Sequence, residues 1–415
     1  MAPLLKRFSS PGKGNGVQAT ARIIRGELVT SAEPLASCVS NKLCRVLCHH
    51  CFTRCETLLR CSQCKMARYC NTTCQKQAWP VHKKECACLK DIFPRIPTDS
   101  VRLAARLIFA LSSPSQNSTE ELYTLEEHVS HLNSMSEQKR EGLSHLASML
   151  ELFLEQEEQK LTQEMGSVLP SSCRDALSLM AKVTCNCFTI SDGELQELGV
   201  GLYPSLSLLN HDCRPNCVTV FEGTKLQLRA VRDISSGEEV LTISYIETLL
   251  LTEDRQRQLE DQYHFSCHCQ QCESQEKDTL FLSGEKATWL LLKEAVPTLE
   301  GLKAENNWQA LLERCHHLLA VVAAEVPDEN LYKLRITDMA LDASVHLQRW
   351  EEALRYGEKT LPHPALSHNS ISTGEKLHQS LNEKATHTHT YSMYKTAESK
   401  MEKEMKEMSA IGKYL

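Results

Sequence analysis

The chain lacks long hydrophobic runs. No apolar stretch among its 415 residues approaches the roughly 18 residues that a membrane-spanning helix needs. The opening residues, Met1 to Phe8, are interrupted by Lys6 and Arg7 and offer no apolar core of a signal peptide. We therefore expect a protein that is neither secreted nor embedded in a membrane. In a reducing compartment its 20 cysteines are not expected to form disulfides.

A strong excess of charge is also absent. The 46 Lys and Arg and the 53 Asp and Glu leave a formal charge of −7. Hydrophobic residues make up 41% of the chain and charged residues 24%, which is typical of an ordinary globular protein. The length is sufficient for two or three domains, each with its own core.

Cysteine, by contrast, is plentiful, and half of it lies in one stretch. Ten of the 20 cysteines fall between Cys44 and Cys88, in C-x2-C, C-x2-C and C-x3-C pairs followed by an H-x3-C pair. Zn²⁺ prefers four thiolate or imidazole ligands in a tetrahedron, and a C-x2-C turn brings two thiolates to one point. Eight ligands make two closed sites, and the order of the pairs favours an interleaved arrangement. One site would use Cys48, Cys51, Cys70 and Cys74, and the other Cys61, Cys64, His82 and Cys86.

A disulfide-stapled module is the alternative, and a reducing compartment argues against it. Each structural zinc site can contribute roughly 10–16 kcal/mol of metal-dependent folding energy, so a segment with few large apolar residues can still fold. Between Lys42 and Lys90, ten Lys or Arg and two Glu give a charge of +8, which zinc–thiolate sites reduce to about +5. Contact with nucleic acid and a plain solvated face both remain open.

A second cluster, Cys267-x-Cys269-x2-Cys272, offers three thiolates and needs a fourth ligand. Cys213 is a candidate, and Cys217 is its rival. A metal ion here would fasten two segments that lie roughly 50 residues apart in the chain. Three buried thiols without a metal are the alternative, which the C-x-C-x2-C spacing disfavours.

Short apolar segments predict strands on both sides of the cysteine-rich stretch. Those before it are punctuated by Gly26 and Pro34, and those after it are separated by a turn at residues 235–237. We therefore expect a small sheet that is interrupted by the cysteine-rich module and a helical insert, and then resumed. The predicted strands are Ala21 to Ile24, Glu27 to Val29, Pro34 to Val39, Lys225 to Val231 and Val240 to Ile246.

Apolar residues at helical intervals predict helices at Val101 to Leu111 and Leu143 to Leu154, with a polar loop at residues 112–120 between them. Beyond residue 280 the chain is predicted to be helical. Segments that begin at Trp308 and Trp350 recur 42 positions apart and resemble helix-pair repeats of the tetratricopeptide kind.

Four motifs in this order resemble the SET and MYND domain protein lysine methyltransferases. They are Gly14-Asn15-Gly16, the eight-ligand cluster, the stretch from Gly201 to Asn216 that ends in N-H-x-C-x-P-N, and the G-E-E stretch from Gly237 to Tyr245. The resemblance covers about residues 1–360. It implies an α+β fold in which SET-domain β-sheets are split by a two-zinc MYND insert and a helical insert. A post-SET zinc site and an α-helical domain similar to tetratricopeptide repeats would follow.

The resemblance also implies domain boundaries. Family members continue with further helices, whereas this chain departs near Leu361, so we expect the truncated helical domain to expose apolar surface and to be looser than in relatives. The implied divisions are 1–47 (SET, first part), 48–86 (MYND finger), 87–180 (helical insert), 181–247 (core SET), 248–278 (post-SET zinc segment), 279–360 (truncated helical domain) and 361–415 (a tail predicted to be largely disordered).

A methyl-transfer site is implied as well. S-adenosyl-L-methionine would lie in one cleft, and the target lysine would enter from the opposite side through a channel lined by the catalytic residues Tyr245, Phe188 and Tyr263. Lys13 stands where close relatives have arginine, which keeps a cation near the cofactor carboxylate. The implied cofactor contacts are Lys13, Asn15, Tyr123, Asn186, Ser207, Leu209, Asn210, His211, Tyr245 and Phe265. The implied ligands of a third Zn²⁺ are Cys213, Cys267, Cys269 and Cys272.

Methyl transfer to lysine requires an uncharged amine. With an ordinary pKa of about 10.4, about one lysine in a thousand is neutral at about pH 7.4, a deficit of roughly 4 kcal/mol. Desolvation in an aromatic channel lowers the pKa of the amine, and the positive sulfur of the cofactor lowers it further. Tyr245 can orient the amine, while Phe188 and Tyr263 can exclude water and stabilise a cation with their π faces. No dedicated general base is required.

The implied partners are lysine-bearing proteins, histones and signalling proteins among them, in cytoplasm and nucleus. Proline-rich peptides bound by the MYND finger and DNA bound by its basic face are further expected partners. We expect a monomer that does not associate with membranes. A non-catalytic zinc-finger and helical-repeat adaptor in transcriptional regulation is the alternative function, which a degenerate SET core would favour.

Overall fold

The computed structural model describes residues 5–10, 12–111, 123–165, 174–192, 196–235 and 240–360. Three predictions fall wholly or partly outside the described residues: the disordered tail at 361–415, the polar loop at 112–120, and the turn and G-E-E block at 235–239. Among the helices that are described, none is both long and apolar enough to cross a membrane.

Strands and helices are mixed along the described residues. The strands β1 to β12 are Leu5–Ser10, Gly14–Ala19, Leu28–Ala32, Ala36–Val39, Leu59–Arg60, Arg68–Tyr69, Cys187–Ser191, Glu197–Leu202, Asn210–His211, Cys217–Glu222, Lys225–Ala230 and Thr242–Ile243. The helices α1 to α11 are Thr72–Ile92, Asp99–Leu111, Glu137–Met165, Ala176–Asn186, Thr252–Tyr263, Gln270–Ser274, Glu276–Phe281, Lys286–Ala304, Trp308–Val321, Leu331–His346 and Trp350–Thr360. Short 3-10 helices span Leu125–Glu127 and Pro204–Leu208.

Small sheets place early strands beside strands from much later in the chain. One antiparallel sheet has the order β10-β11-β3, with Leu226 opposite Ala32, and another has the order β4-β8-β7. Strands β1 and β2 form a hairpin, and Gly12 and Gly14 at its turn have φ values of +71° and +75°, which favour glycine. The prediction of a sheet that is interrupted and then resumed is confirmed.

The predicted strand from Val240 to Ile246 is wrong for most of its length. Within that described segment, only β12 is a strand, and it pairs in parallel with β9. Side chains take the hydrogen bonds that a longer ladder would use. The Asn216 amide donates to the carbonyl oxygen of Val240 at 2.7 Å and accepts from the backbone N–H of Thr242 at 2.8 Å.

The predicted strand from Ala21 to Ile24 is also wrong. It is reduced to a single bridge between Ile23 and Ile234. The carboxylate of Glu27 accepts a hydrogen bond from the backbone N–H of Ile24 at 3.0 Å, so this group is not free to pair with a strand.

Helix α2 lies at the centre of the largest apolar cluster. Every residue from Val101 to Ala110 is buried, which identifies α2 as a core helix. Helices α1, α3 and α4 and strand β4 all contact it. Because α1 and several metal-ligand cysteines belong to the same cluster, the cysteine-rich module shares its core with the sheet. The helices predicted at 101–111 and 143–154 are confirmed, within α2 and the longer α3.

The helical prediction beyond residue 280 is confirmed by α8 to α11. Trp308 and Trp350 each begin a helix, and the Trp308 ring stacks on His346 with ring centroids 3.9 Å apart. These helices surround their own apolar core. Leu331 and Leu334 of α10 pack in a cluster with the segment at residues 249–251, so the helical unit lies directly behind the chain that follows β12.

Candidate active site and metal centres

The eight predicted ligands of the cysteine-rich module lie in two groups. Within each group the ligand atoms are all within 4.8 Å of one another. The Sγ atoms of Cys51 and Cys70, and those of Cys61 and Cys86, are 3.8 Å apart. A Zn²⁺ tetrahedron with Zn–S bonds of about 2.3 Å has edges of about 3.8 Å, so the donor sets fit Zn²⁺. The groups are Cys48, Cys51, Cys70 and Cys74, and Cys61, Cys64, His82 and Cys86, which is the interleaved arrangement that the spacing predicts.

The hairpin of β5 and β6 and the start of helix α1 position these ligands. Lys65, with φ at +59°, completes the turn that carries Cys61 and Cys64. The side chain of Asn71 caps α1 by accepting from the backbone N–H of Cys74 at 2.8 Å. Later in α1, the second group takes two ligands four residues apart, which lie on one face of the helix.

A buried ion network joins the second metal group to the sheet. His82 Nε2 is 3.6 Å from the Sγ of Cys64, and its Nδ1 is 3.3 Å from Oε2 of Glu85. Arg102 of α2 donates to Oε1 of the same carboxylate at 3.1 Å and to the carbonyl oxygen of Val39, in β4, at 3.3 Å. A carboxylate behind a ligand imidazole fixes its tautomer and orientation. The orientation of the His82 ring toward the metal site is therefore fixed, through Glu85 and Arg102, by strand β4.

The third group joins Cys213 to the C-x-C-x2-C cluster. The Sγ atoms of Cys213 and Cys272 are 3.5 Å apart. Cys217, the rival ligand, lies in β10 and packs in a separate apolar cluster. Buried Arg255 donates from Nη2 to the Sγ of Cys272 at 3.7 Å, and its charge offsets part of the negative charge of a four-thiolate zinc site. The four buried ligands are Cys213, Cys267, Cys269 and Cys272.

His211 connects this third group to Tyr245. Its ring is buried, and Nε2 lies 3.3 Å from the Sγ of Cys213. Its Nδ1 accepts a hydrogen bond from the backbone N–H of Tyr245 at 3.0 Å. Burial lowers the pKa of His211 to about 4, so the ring is neutral at neutral pH. Because Nδ1 is an acceptor, the neutral ring carries its proton on Nε2 and donates it toward the sulfur.

Tyr245 lies among other aromatic rings. Its ring centroid is 4.8 Å from that of Tyr263 and 6.3 Å from that of Phe265. Its hydroxyl donates to the carbonyl oxygen of Leu209, and the Tyr263 hydroxyl donates to the carbonyl oxygen of Tyr245 at 3.3 Å. Burial raises the pKa of Tyr245 above its usual value and the pKa of Tyr263 to about 12, so both phenols stay protonated at neutral pH.

Gly16 lets strand β2 approach Asn210 closely. A Cβ at position 16 would lie 2.6 Å from Nδ2 of Asn210, so a side chain there would displace the amide. Nδ2 of Asn210 donates to the carbonyl oxygen of Asn15 at 3.4 Å. Exposed Lys13 is near enough for its charge to lower the pKa of Asp212, against the larger effect of burial, which raises it. The Asn210 amide therefore contacts the backbone of Asn15, and the charge of Lys13 acts on the neighbouring Asp212.

Tyr123 is held from both sides of its ring. It stacks on His128 with ring centroids 4.5 Å apart, and the Arg7 guanidinium lies 5.3 Å from its centroid. Its hydroxyl donates to the carbonyl oxygen of Glu127 at 2.6 Å, and the Glu127 carboxylate pairs with Arg7 at 2.6 Å. The ring belongs to the same apolar cluster as Leu209. The 3-10 segment thus presents an ordered aromatic face to this cluster.

Asn186 and Ser207 tie helix α4 to the chain that leads into β9. The Asn186 amide donates to the carbonyl oxygens of Val129 at 3.0 Å and Lys182 at 2.8 Å. The Ser207 hydroxyl donates to the carbonyl oxygen of Asn186 at 3.2 Å. Phe188, at the start of β7, packs against the cluster that includes Tyr203, with ring centroids 5.6 Å apart.

The structure places most of the predicted site residues in one continuous set of contacts. Phe188 is the exception within the predicted channel, because its ring pairs with Tyr203 and not with the predicted channel tyrosines. Sequence reasoning missed the supporting side chains. Glu85 and His128 lie near their partners in the chain, since Glu85 follows His82 by three residues and His128 follows Tyr123 by five. The others meet their partners only through the fold: Arg7, Arg102 and Arg255.

Comparison with known proteins gives matches in both the module and the whole chain. Residues 48–86 match the family model of the MYND finger. Over 392 residues the chain is 42% identical to the human (Homo sapiens) histone-lysine N-methyltransferase SMYD3, covering 92% of this chain and 90% of that protein. It is 35% identical to the chicken (Gallus gallus) N-lysine methyltransferase SMYD2, with 90% and 87% covered.

Two further comparisons are weaker. The mouse (Mus musculus) histone-lysine N-methyltransferase Smyd1 is 34% identical, with 85% of this chain and 74% of that protein covered. The crystal structure of the SET domain of LSMT bound to lysine and AdoHcy matches with a TM-score of 0.32 and 11% identity, covering 96% of this chain and 88% of that chain. A likeness at that score does not establish a shared fold.

Proposed function

The chain belongs to the SET and MYND domain family of lysine methyltransferases, and we propose that it transfers methyl groups from S-adenosylmethionine to lysine side chains of histones and other proteins. One observation supports this more than any other. The protonated phenol of Tyr245 contacts the rings of Tyr263 and Phe265, and its hydroxyl donates to the backbone carbonyl oxygen of Leu209. A phenol fixed at the end of an aromatic pocket is suited to orienting a neutral amine.

The aromatic pocket lowers the barrier by the environment it creates for the amine. A lysine inserted beside Tyr245 and Tyr263 loses water, and this desolvation lowers its pKa and raises the fraction that is neutral. The π faces of the same rings stabilise the cation that the amine becomes after it accepts a methyl group. Phe188 is proposed to close the channel from β7. No residue of the chain is needed as a general base.

The proposed cofactor site uses the close approach of β2 to Asn210. When bound, S-adenosylmethionine supplies an electrophilic methyl group on a sulfonium. The amide of Asn210 and the backbone near Asn15 are proposed to bind its polar groups, and the Lys13 ammonium its carboxylate. Tyr123, whose ring already contacts His128 and Arg7, is proposed to border the cofactor with its ring edge. The remaining proposed contacts are Asn186, Ser207, Leu209, His211, Tyr245 and Phe265.

Three Zn²⁺ ions are the proposed metals, one for each ligand group. The MYND finger is proposed to bind proline-rich peptides, and its basic face DNA. Helices α8 to α11 are proposed to form a domain similar to tetratricopeptide repeats that closes over the substrate groove, a role that their contact with residues 249–251 supports. We propose a monomer in cytoplasm and nucleus.

Transfer of label from S-adenosylmethionine to a histone mixture tests the function directly. The purified protein is expected to label lysine, and Tyr245→Phe is expected to lower kcat by about 100-fold, since the hydroxyl that orients the amine is removed. Tyr356→Phe, in helix α11, is the matched control, since its ring packs against the core of the helical unit and not against the clusters that contain Tyr245, and it should label at the unaltered rate.

Failure of the intact protein to label lysine or to bind the cofactor would contradict methyl transfer. If it also bound proline-rich peptides with full affinity, the adaptor alternative would be favoured. Equal labelling by Tyr245→Phe and the intact protein would remove Tyr245 from the reaction.

A further inference from the structure

We propose that the side chain of His211 is a positioning residue, which couples occupancy of the third metal group to the placement of Tyr245. This deepens the proposed function and rests on it. His211 would act through its imidazole, whose two nitrogens contact the two elements to be coupled: a metal-ligand sulfur on one side and the backbone of the reactive tyrosine on the other.

One nitrogen of His211 contacts the backbone of Tyr245 just beyond the end of strand β12. The parallel pairing of β9 and β12 stops at the pair His211 and Ile243, so beyond it the N–H of Tyr245 has no ladder partner. Nδ1 of His211 supplies the acceptor at 3.0 Å. The hydroxyl at the far end of Tyr245 donates to the carbonyl oxygen of Leu209. Both ends of the tyrosine are therefore held by the segment from Leu209 to His211.

The metal side of the link lies two residues further along the same segment. Since Nδ1 accepts, Nε2 carries the hydrogen, and it faces the Sγ of Cys213 at 3.3 Å. An N–H donor to a ligand sulfur is one of the outer contacts that orient metal ligands. A metal ion bound to Cys213 would fix this sulfur, and the sulfur would fix the plane of the ring. The position of the Tyr245 amide then follows from that of the metal.

The coupling is specific to this histidine because its ring has no freedom to serve only one partner. It is buried, and it packs against the ring of Tyr245, with centroids 5.3 Å apart, and against that of Phe265, with centroids 5.9 Å apart. A rotation that improved one hydrogen bond would break the other. The ring is therefore a rigid spacer between the sulfur and the amide.

Two substitutions separate the two hydrogen bonds. An asparagine amide lies near the position of Nδ1, and a glutamine amide near that of Nε2. His211→Asn therefore keeps an acceptor for the N–H of Tyr245 and loses the donor to Cys213, while His211→Gln does the reverse. His49→Gln is the matched control, since it places the same amide at another buried histidine, one that contacts the Cys44 carbonyl oxygen at 2.9 Å.

Zinc release to a chromogenic chelator reports the Cys213 side, and steady-state kinetics of labelled transfer report the Tyr245 side. His211→Gln should lower kcat by about 10-fold or more, with zinc release as in the intact protein, and any effect on KM for the cofactor should be shared with His211→Asn, since both remove the same ring. His211→Asn should release one of the three zinc equivalents about 10-fold faster and lose at least about threefold less kcat than His211→Gln. The control, His49→Gln, should change neither the rate of zinc release nor kcat.

Equal losses of kcat in both variants, in step with their melting temperatures, would show a merely structural histidine and overturn the coupling. An unchanged kcat in His211→Gln would overturn it as well, and if that variant does not fold, zinc release from His211→Asn at the rate of the intact protein would do so. Absence of methyl transfer in the intact protein would be a failure of the proposed function instead. The zinc-release comparison would then still judge the contact with Cys213.

Discussion

The MYND finger and the third metal group are built from the same kinds of ligand but connect to different parts of the molecule. In the finger, the contacts behind ligand His82 run through Glu85 and Arg102 and end at the backbone of Val39 in the sheet. In the third group, the contact behind Cys213 runs through His211 and ends at Tyr245. The finger is thereby fastened to the core, and the third group to the proposed reacting centre.

This difference separates stability from reaction geometry. A change in the finger network is expected to lower the free energy of unfolding and to leave the rate of the molecules that remain folded unaltered. A change in the third group is expected to lower kcat as well as the free energy of unfolding. The same metal chemistry therefore has different consequences at the two places.

The largest effect is expected when the third group loses a ligand. Cys269→Ser should retain two zinc ions and not three, because it forfeits part of the roughly 10–16 kcal/mol that a structural zinc site contributes. Methyl transfer should fall about 100-fold or more. Zinc content by mass spectrometry and labelled transfer are the measurements.

Cys217→Ser is the control for that loss, since Cys217 is buried nearby and is not among the four ligands. Three zinc ions and near-normal transfer are expected for it. Loss of zinc from Cys217→Ser and not from Cys269→Ser would mean that Cys217 is a ligand and Cys269 is not, which would contradict the ligand set of the third group.

The next effect is on stability and belongs to the finger. Glu85→Gln leaves the buried guanidinium of Arg102 without its charge partner, and removal of one partner of a buried pair costs about 3–5 kcal/mol. Urea denaturation should show this loss, while kcat measured at low temperature should stay within about twofold. Asp254→Asn, which breaks the more exposed pair with Arg257, should cost less than about 1 kcal/mol. A large fall in kcat for Glu85→Gln would mean that the finger also acts on the reacting centre.

A third effect is confined to the cofactor side. Gly16→Ala puts a Cβ where Asn210 now lies, so the amide must move away from the proposed binding surface. KM for S-adenosylmethionine is expected to rise about 10-fold with zinc content unchanged, and because the same Cβ would lie 2.9 Å from the ring of Phe8, the melting temperature is expected to fall as well. Gly142→Ala, where nothing lies near the added Cβ, is the control. An unaltered KM for S-adenosylmethionine in Gly16→Ala would show that the close approach of Gly16 to Asn210 is not part of the cofactor site.

The smallest effect is the response to acid of a histidine behind Tyr123. Burial lowers the pKa of His128 to about 4, below the value of about 6.5 for an unfolded chain. The unfolded state therefore binds a proton first, and stability is lost as the pH falls from about 6.5 toward 4, at up to about 1.4 kcal/mol per pH unit. Urea denaturation at pH values of about 6.5 and 5.5 measures this loss, and His128→Gln should lose about 1 kcal/mol less between them. An equal loss in both proteins would contradict a neutral His128.

The sequence predicts the local parts of this arrangement well. Eight finger ligands follow from C-x2-C spacing, because such turns direct two thiolates to one point whatever surrounds them. The fourth ligand of the third group does not follow from spacing, since Cys213 and Cys217 lie only four residues apart, and only the path of β10 separates them. Glu85 and Arg102 are 17 residues apart on different helices, so their pairing requires the fold.

The failed strand predictions have one physical cause. Periodicity describes which side chains are apolar, but not which polar side chains compete for the backbone. Asn216 and His211 accept from the N–H groups of Thr242 and Tyr245, so the alternating pattern from Val240 to Ile246 does not extend into a ladder. The same two polar residues that defeat the strand prediction shape the site.

A crystal structure with S-adenosylhomocysteine and a lysine peptide bound is the most direct test of the reacting centre. We expect the lysine amine beside the hydroxyl of Tyr245, the cofactor product against Asn210 and Gly16, and a zinc ion bonded to Cys213 with His211 between it and Tyr245. A peptide or product bound elsewhere, or a Tyr245 amide that has left His211 while the zinc ion is in place, would contradict the account.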